Sequence, residues 1–174
     1  MSDAEVPDWA AWQPEIEATL VFVREGSRVL LIEKLRGIGK GKINGPGGKI
    51  DPGETPLECA IRETQEELHI TPTGLEKMGE LWFAMLDLPD IHCHVYLADG
   101  FEGEPTATEE AIPFWCEIAE IPFARMWEDD RHWLPRMLVG EKFDARFLFS
   151  EEKIRWKDLV FGNEASTRWG LARG

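Results

Sequence analysis

The sequence predicts an α+β fold, on two observations. Runs rich in β-branched and aromatic residues recur in pairs divided by short polar turns, the signature of antiparallel hairpins. Only two stretches carry a helical period, and strands stand before, between and after them, unlike the strict strand–helix alternation of a doubly wound sheet. At 174 residues, 43% of them apolar, the chain suits one domain with a real core.

Taken in order, residues 1 to about 17 form an acidic arm carrying Trp9 and Trp12 beside Pro7 and Pro14. Two tryptophans are unusual in a disordered tail, so they are expected to pack onto the domain. Ala18 to Val23 and Arg28 to Lys34 read as a hairpin turning at Arg24–Ser27. A glycine- and lysine-rich loop, Leu35 to Gly45, follows.

Helix geometry is most explicit at Thr55 to Leu68. Thr55 suits the N-cap, Pro56 the first helical position, and Glu58 completes a capping box. At 100° per residue, Leu57, Ala60, Ile61, Thr64 and Leu68 share the side expected to face the core, while Glu63, Glu66 and Glu67 gather elsewhere.

Met78 to Leu86 and Ile91 to Ala98 flank a turn and read as a second hairpin, with His92 and His94 on one strand face. As i, i+2 neighbours these histidines could ligate a metal, but with no third soft ligand nearby they read as ordinary strand residues. Asp99 to Ala111 reads as a polar loop, Ile112 to Ile121 as a strand, Arg125 to Leu138 as a helix and Glu141 to Ser150 as a strand. This gives a domain over 18–150 and a tail, 151–174, to which no role is assigned.

Three carboxylates within one helical turn repel one another and call for a cation. Alone, they read first as a solvated acidic face, since charge runs usually lie at the surface. The adjoining Gly45, Gly47, Gly48 and Gly53 change that balance, since glycines let backbone groups approach a phosphate or metal beside the carboxylates. A hard divalent ion such as Mg²⁺ matches all-oxygen ligands, with Mn²⁺ as the alternative.

Gly48, Glu54, Arg62, Glu63, Glu66, Glu67 and Ile70 match, without a gap, the box G-x5-E-x7-R-E-U-x-E-E-x-G-U of the Nudix hydrolases, with U aliphatic. The chain thus resembles that family. Thr64 departs at an aliphatic position and His69 at the glycine after the helix; both bear on helix-end geometry rather than on carboxylates. The resemblance implies a mixed sheet between helices. It further implies that Glu63, Glu66 and Glu67 hold Mg²⁺ with the Gly47 carbonyl and a loop glutamate, Glu110 or its neighbour Glu109, and that Arg62 pairs with Glu54.

From Thr19 to Phe149 the likeness extends to the MutT-like branch that destroys oxidised purine nucleoside triphosphates such as 8-oxo-dGTP. It is carried by Lys42–Lys49, Gly79–Phe83 and Ile121–Pro135. By this resemblance Thr19, Lys34, Asn44, Gly47, Gly48, Lys49 and Phe83 contact the nucleotide, Trp127 stacks on the base, and Asp129 with Asp130 reads its edge. Ile38 stands where that branch leads one to expect an aromatic residue, implying weaker stacking and a looser purine preference. Other diphosphate substrates (ADP-ribose, dinucleotide polyphosphates, other modified dNTPs) and a non-catalytic nucleotide sensor remain alternatives; turnover separates the last.

Partners are bounded by charge. Nineteen Lys and Arg against 33 Asp and Glu leave a net charge of −14, which disfavours nucleic acid polymers and anionic membranes and suits a small nucleotide handled through cations. Cys59, Cys93 and Cys116 are widely spaced and suggest neither a disulfide framework nor a zinc site, so a reducing, cytoplasmic setting is expected. No run approaches the ~18 apolar residues of a membrane span.

Overall fold

The computed structural model describes residues 6–170; residues 1–5 of the arm and 171–174 of the tail lie outside the described residues. The strands are β1 (Ile16–Glu25), β2 (Arg28–Lys34), β3 (Ile43–Asn44), β4 (Gly47–Lys49), β5 (Thr71–Thr73), β6 (Glu76–Met85), β7 (Ile91–Ala98), β8 (Gly100–Glu102), β9 (Ala111–Glu117), β10 (Phe143–Ser150) and β11 (Lys153–Phe161). The helices are α1 (Pro56–Leu68) and α2 (Asp130–Leu138). One mixed sheet runs β11-β10-β6-β7-β1-β2-β3, with β4 paired to β1 and β9 to β2; β5 and β8 form a separate pair. β1 lies parallel to β7 and β10 parallel to β6. Both expected hairpins are present, β1–β2 and β6–β7.

Strand alternation distributes the core over both sheet faces. Val21, Val23, Leu30 and Ile32 meet Ala60 and Leu68 of α1. Phe22, Val29 and Leu31 face the other way, toward Trp133, Leu134, Met137 and Leu138 of α2. The sheet is therefore sandwiched between two helices.

α1 begins as expected: the Glu58 amide donates to the Thr55 hydroxyl and the Thr55 amide donates to the Glu58 carboxylate. His69 ends it in the left-handed region, φ 60°, donating its amide to the Gln65 carbonyl. Buried Thr64 satisfies its hydroxyl on the Ala60 carbonyl, so an aliphatic side chain is not required there. The expected core face needs correction. Leu57 is exposed and Ile61 half-buried, while Cys59 and Glu67 are buried. The helix is rolled so that its edge toward β1 and β4 is covered, placing a carboxylate where periodicity alone would put solvent.

Three boundaries also differ. α2 begins at Asp130, not Arg125; a 3₁₀ turn and an extended Met126 precede it. Ile118–Glu120 is a 3₁₀ turn rather than the end of β9. β11 pairs with β10 along its length, so the sheet continues past the boundary at 150. Beyond β11, Trp169 donates to the Phe143 carbonyl and Arg168 pairs with buried Asp144. The arm's Trp9 and Trp12 do pack on the domain: Trp12 donates to Asp90, Trp9 lies 5.2 Å from Trp12 and stacks on Trp156, and both contact Trp82. Among the described residues, no helix is long and apolar enough to cross a membrane.

Candidate active site

Close backbone approach positions the glycine turn. A Cβ on Gly47 would stand 1.9 Å from the Thr19 carbonyl oxygen in β1, and one on Gly48 would stand 2.5 Å from the Glu63 carboxyl carbon. Only glycine lets β4 lie between β1 and the carboxylates of α1. Gly47→Ala is accordingly expected to lose about 2 kcal/mol or more of stability, because the clash is with backbone and no rotamer relieves it. Urea unfolding checks this, and a loss below ~0.5 kcal/mol, the range of ordinary surface changes, would refute it.

Arg62 ties this turn to the helix. Its guanidinium donates to both oxygens of Glu54 at 2.7 and 2.9 Å, to the Lys49 carbonyl at 3.1 Å and to Glu63 at 2.8 Å. That fork holds the Glu54 carboxyl down at about 2. Glu66 also touches Arg62, at 3.2 Å, but points outward and is half exposed.

The carboxylates that converge are Glu63, Glu67 and Glu110, with ligand atoms within 4.8 Å of one another. Glu66 and Glu109 stand beside them, on the wall of a shallow depression. Glu110 is brought in from the loop before β9, whose backbone is bonded to Leu35 at 3.0 Å. Burial, and then the charges of Glu63 and Glu110, push the Glu67 carboxyl up to about 8; burial raises Glu63 as well. The facing cation is Lys34, whose ammonium donates to the Ile38 carbonyl at 2.6 Å; burial lowers its pKa while Glu67, Glu63 and Glu110 oppose the shift. Three oxygen donors so close, one of them buried beside two like charges, fit a hard divalent cation.

Beside this cluster a cavity of about 370 Å³ opens on the α2 side of the sheet. Thr19, Lys34, Asn44, Gly47, Gly48, Lys49, Phe83, Trp127, Asp129 and Asp130 all line it, as does Glu67. Its apolar floor, Leu81, Met85, Ile91, Cys93 and Phe149, escaped the sequence reading. The available signal was alternation: these residues share a sheet face with Phe83, but nothing local says whether that face meets core or cavity. Asp129 and Asp130 are each 2% exposed. Asp129 accepts from the Trp133 indole at 2.8 Å, whereas Asp130 Oδ2 has no partner among the described residues. Burial raises both carboxyls, and the charge of Asp129 lifts Asp130 further, so the pair resists double ionisation and favours sharing one proton. Trp127 stands edge-on to Phe149, with the Lys42 ammonium 5.1 Å from its ring centre and Gly39 against its indole nitrogen.

Glu17, His92 and His94 form another grouping of ligand atoms, on the sheet face opposite the cavity. Here His92 sits between Glu80, at 2.5 Å, and Glu17, at 2.9 Å, while Lys77 reaches Glu80 at 2.6 Å and His94 at 3.0 Å. The Lys77 ammonium is therefore bonded to Glu80, and His92 joins the two carboxylates.

Comparison with known proteins places this geometry in a lineage. Residues 14–137 match the NUDIX domain model. Over 139 residues, 78% of this chain and 88% of the relative, it is 44% identical to the oxidized purine nucleoside triphosphate hydrolase of Danio rerio. It is 41% identical over 135 residues to the protein of that name in Mus musculus, covering 77% of this chain and 86% of that one. The fold is similar to the crystal structure of a MutT protein from Bacillus halodurans, with TM-score 0.73, 24% identity and coverage of 83% of this chain and 97% of the other. Nudix hydrolases generally use divalent metal, as the carboxylate cluster here leads one to expect. A box whose glycines, arginine and glutamates fold into one braced cluster, together with a domain match over most of its length, shows that the chain belongs to the Nudix hydrolase family.

Proposed function

We propose that the protein is a Mg²⁺-dependent nucleoside triphosphate pyrophosphohydrolase that removes oxidised purine deoxynucleotides such as 8-oxo-dGTP, releasing monophosphate and pyrophosphate. The observation that carries this reading is the buried Asp129–Asp130 pair at the wall of a cavity that also reaches Glu67. One proton shared by two carboxyls offers a donor beside an acceptor, which suits the edge of a purine whose oxidation has exchanged one hydrogen-bonding role for another. The names of the Danio rerio and Mus musculus relatives support the same substrate class.

Glu63, Glu67 and Glu110, with the Gly47 carbonyl, would hold a divalent cation, which when bound would neutralise phosphate charge and lower the pKa of water. The chain's own groups do the rest. Arg62 fixes the loop and Glu63 in register, and Glu66 adds negative charge at the rim. Thr19, Asn44, Phe83 and Trp127 hold the nucleoside, while Lys34, Lys49 and the amides of Gly47 and Gly48 face its phosphates. Water adds its oxygen to one phosphorus of the anhydride, the bridging P–O bond breaks with its electron pair leaving on the departing phosphate, and a carboxylate of the cluster takes the water's proton. Mn²⁺ is the alternative cation. The net charge of −14 and the three free cysteines support a small-nucleotide enzyme of the cytoplasm rather than a partner of nucleic acid polymers.

The test is a panel of canonical and oxidised dNTPs, ADP-ribose and dinucleotide polyphosphates, incubated with Mg²⁺ while pyrophosphate and phosphate are read separately. The highest kcat/KM is expected for an oxidised purine dNTP, with pyrophosphate as product. Preferential cleavage of ADP-ribose or a dinucleotide would overturn the assignment.

A further inference from the structure

The carboxylate cluster has two sides. Glu67 opens onto the nucleotide cavity, whereas Glu110 forms part of the shallow depression lined by Arg36, Glu66, His69, Thr108 and Glu109. A nucleotide with its base at Asp129 and Asp130 runs its phosphate chain across the cluster, so the outermost phosphates emerge on the Glu110 side. That depression is walled by Glu66, Glu109 and Glu110, a poor place for a polyanion unless cations meet it there.

Arg36 stands at that spot. Its Nη2 donates to Glu110 Oε1 at 2.6 Å, and its side chain is 60% exposed. The backbone beneath it is anchored, since the Leu35 amide bonds to the Glu110 carbonyl at 3.0 Å, so the guanidinium can swing while its root stays fixed. Arg62 is engaged on Glu54, Glu63 and Glu66, and Lys34 and Lys49 stand on the cavity side of the cluster, so Arg36 is the cation at the Glu110 side of the depression.

We propose that Arg36 is a substrate-contacting residue that exchanges partners during the reaction: it pairs with Glu110, itself already within reach of Glu63 and Glu67, before the site is loaded, and receives the departing diphosphate once a cation in the cluster takes up the Glu110 charge. This rests on the reading of the site as a triphosphate pyrophosphohydrolase. A guanidinium presents a planar fork of N–H donors that matches two phosphate oxygens at once, which an ammonium cannot reproduce. Glu110 has charge to give either to Arg36 or to a cation between the glutamates, and its withdrawal frees the fork as the leaving group acquires charge.

The experiment uses the full chain with Arg36→Gln and Arg36→Lys, both at an exposed position that leaves the core untouched. Inorganic pyrophosphate is titrated calorimetrically in excess Mg²⁺, and also measured as a product inhibitor, with the nucleoside monophosphate as control. Arg36→Gln is expected to weaken pyrophosphate about 10- to 100-fold, the usual span for one charged hydrogen-bonding partner, with Arg36→Lys in between and monophosphate affinity unchanged. Pyrophosphate affinity unchanged within about twofold in both variants, whatever happens to turnover, would make Arg36 only a support for Glu110 and overturn the proposal; a twofold change is under 0.5 kcal/mol. Equal weakening of pyrophosphate and monophosphate would overturn it too. The calorimetry needs no turnover, so a substrate panel that pointed to a different nucleotide would register separately from a failure at Arg36.

Discussion

Glu67→Gln is expected to lower kcat about 100-fold or more while making the cation-free protein more resistant to heat at pH 8. The two effects share one cause. Glu67 is 6% exposed, and burial with the charges of Glu63 and Glu110 lifts its carboxyl from 4.5 to about 8. Between those values the folded chain binds a proton that the unfolded chain has released. This contribution to stability is therefore complete below about pH 4.5 and is lost as pH rises through about 8. Glutamine keeps the shape and removes the titration, so the decline of Tm across that window flattens in the presence of chelator. With Mg²⁺ the ranking reverses: the parent gains heat resistance by binding the ion in its native state, and the variant gains less. Thermal unfolding from pH 5 to 9, with chelator and with millimolar Mg²⁺, measures both. A variant that keeps near-normal turnover, or a parent that Mg²⁺ does not stabilise, would sink the assignment of the cluster.

Asp129→Asn and Asp130→Asn are expected to act on base choice rather than on phosphorus chemistry. Each should reduce kcat/KM for oxidised purine dNTPs about 10- to 100-fold, mainly through KM, and shift their ratio to canonical dNTPs, with the Mg²⁺ dependence unaltered. Asp129 is held by the Trp133 indole and Asp130 presents an oxygen without a partner among the described residues, so an amide at either position alters which atom donates and which accepts. A proton shared by the pair makes discrimination pH-dependent. Raising pH ionises the pair and removes the donor, so preference for the oxidised base should fall on the alkaline side. If both variants preserve the parent's ratios across the panel, these residues do not read the base.

Local interactions made much of this protein legible before folding. While the pairing of Glu54 with Arg62 and the special place of His69 at the helix end came by resemblance to the family box, the capping box at Thr55 follows from a spacing of three residues, which helix geometry sets regardless of what surrounds the helix. The hairpins β1–β2 and β6–β7 were readable for the same reason. The residues named for nucleotide contact came by resemblance, and each of them lines the cavity.

What lay beyond the sequence is what depends on a distant partner. Periodicity placed Leu57 and Glu67 on definite sides of α1, but β1 and β4 decided which side was covered, leaving Leu57 exposed and Glu67 buried. Glu63, Glu66, Glu67 and a loop glutamate, Glu110 or Glu109, were expected around one cation; the fold brings Glu63, Glu67 and Glu110 together and leaves Glu66 half exposed on Arg62, because the loop before β9 reaches the opening beside Glu63 and Glu67. The tail showed no pattern of its own, since an edge strand such as β11 is defined by pairing with β10 rather than by its residues. The sequence by itself determined the family's chemistry, because the carboxylates, glycines and arginine are spaced by one helix and the turn before it. Tertiary structure alone decided which carboxylates converge and which are desolvated, because burial and convergence depend on distances between segments far apart in the chain.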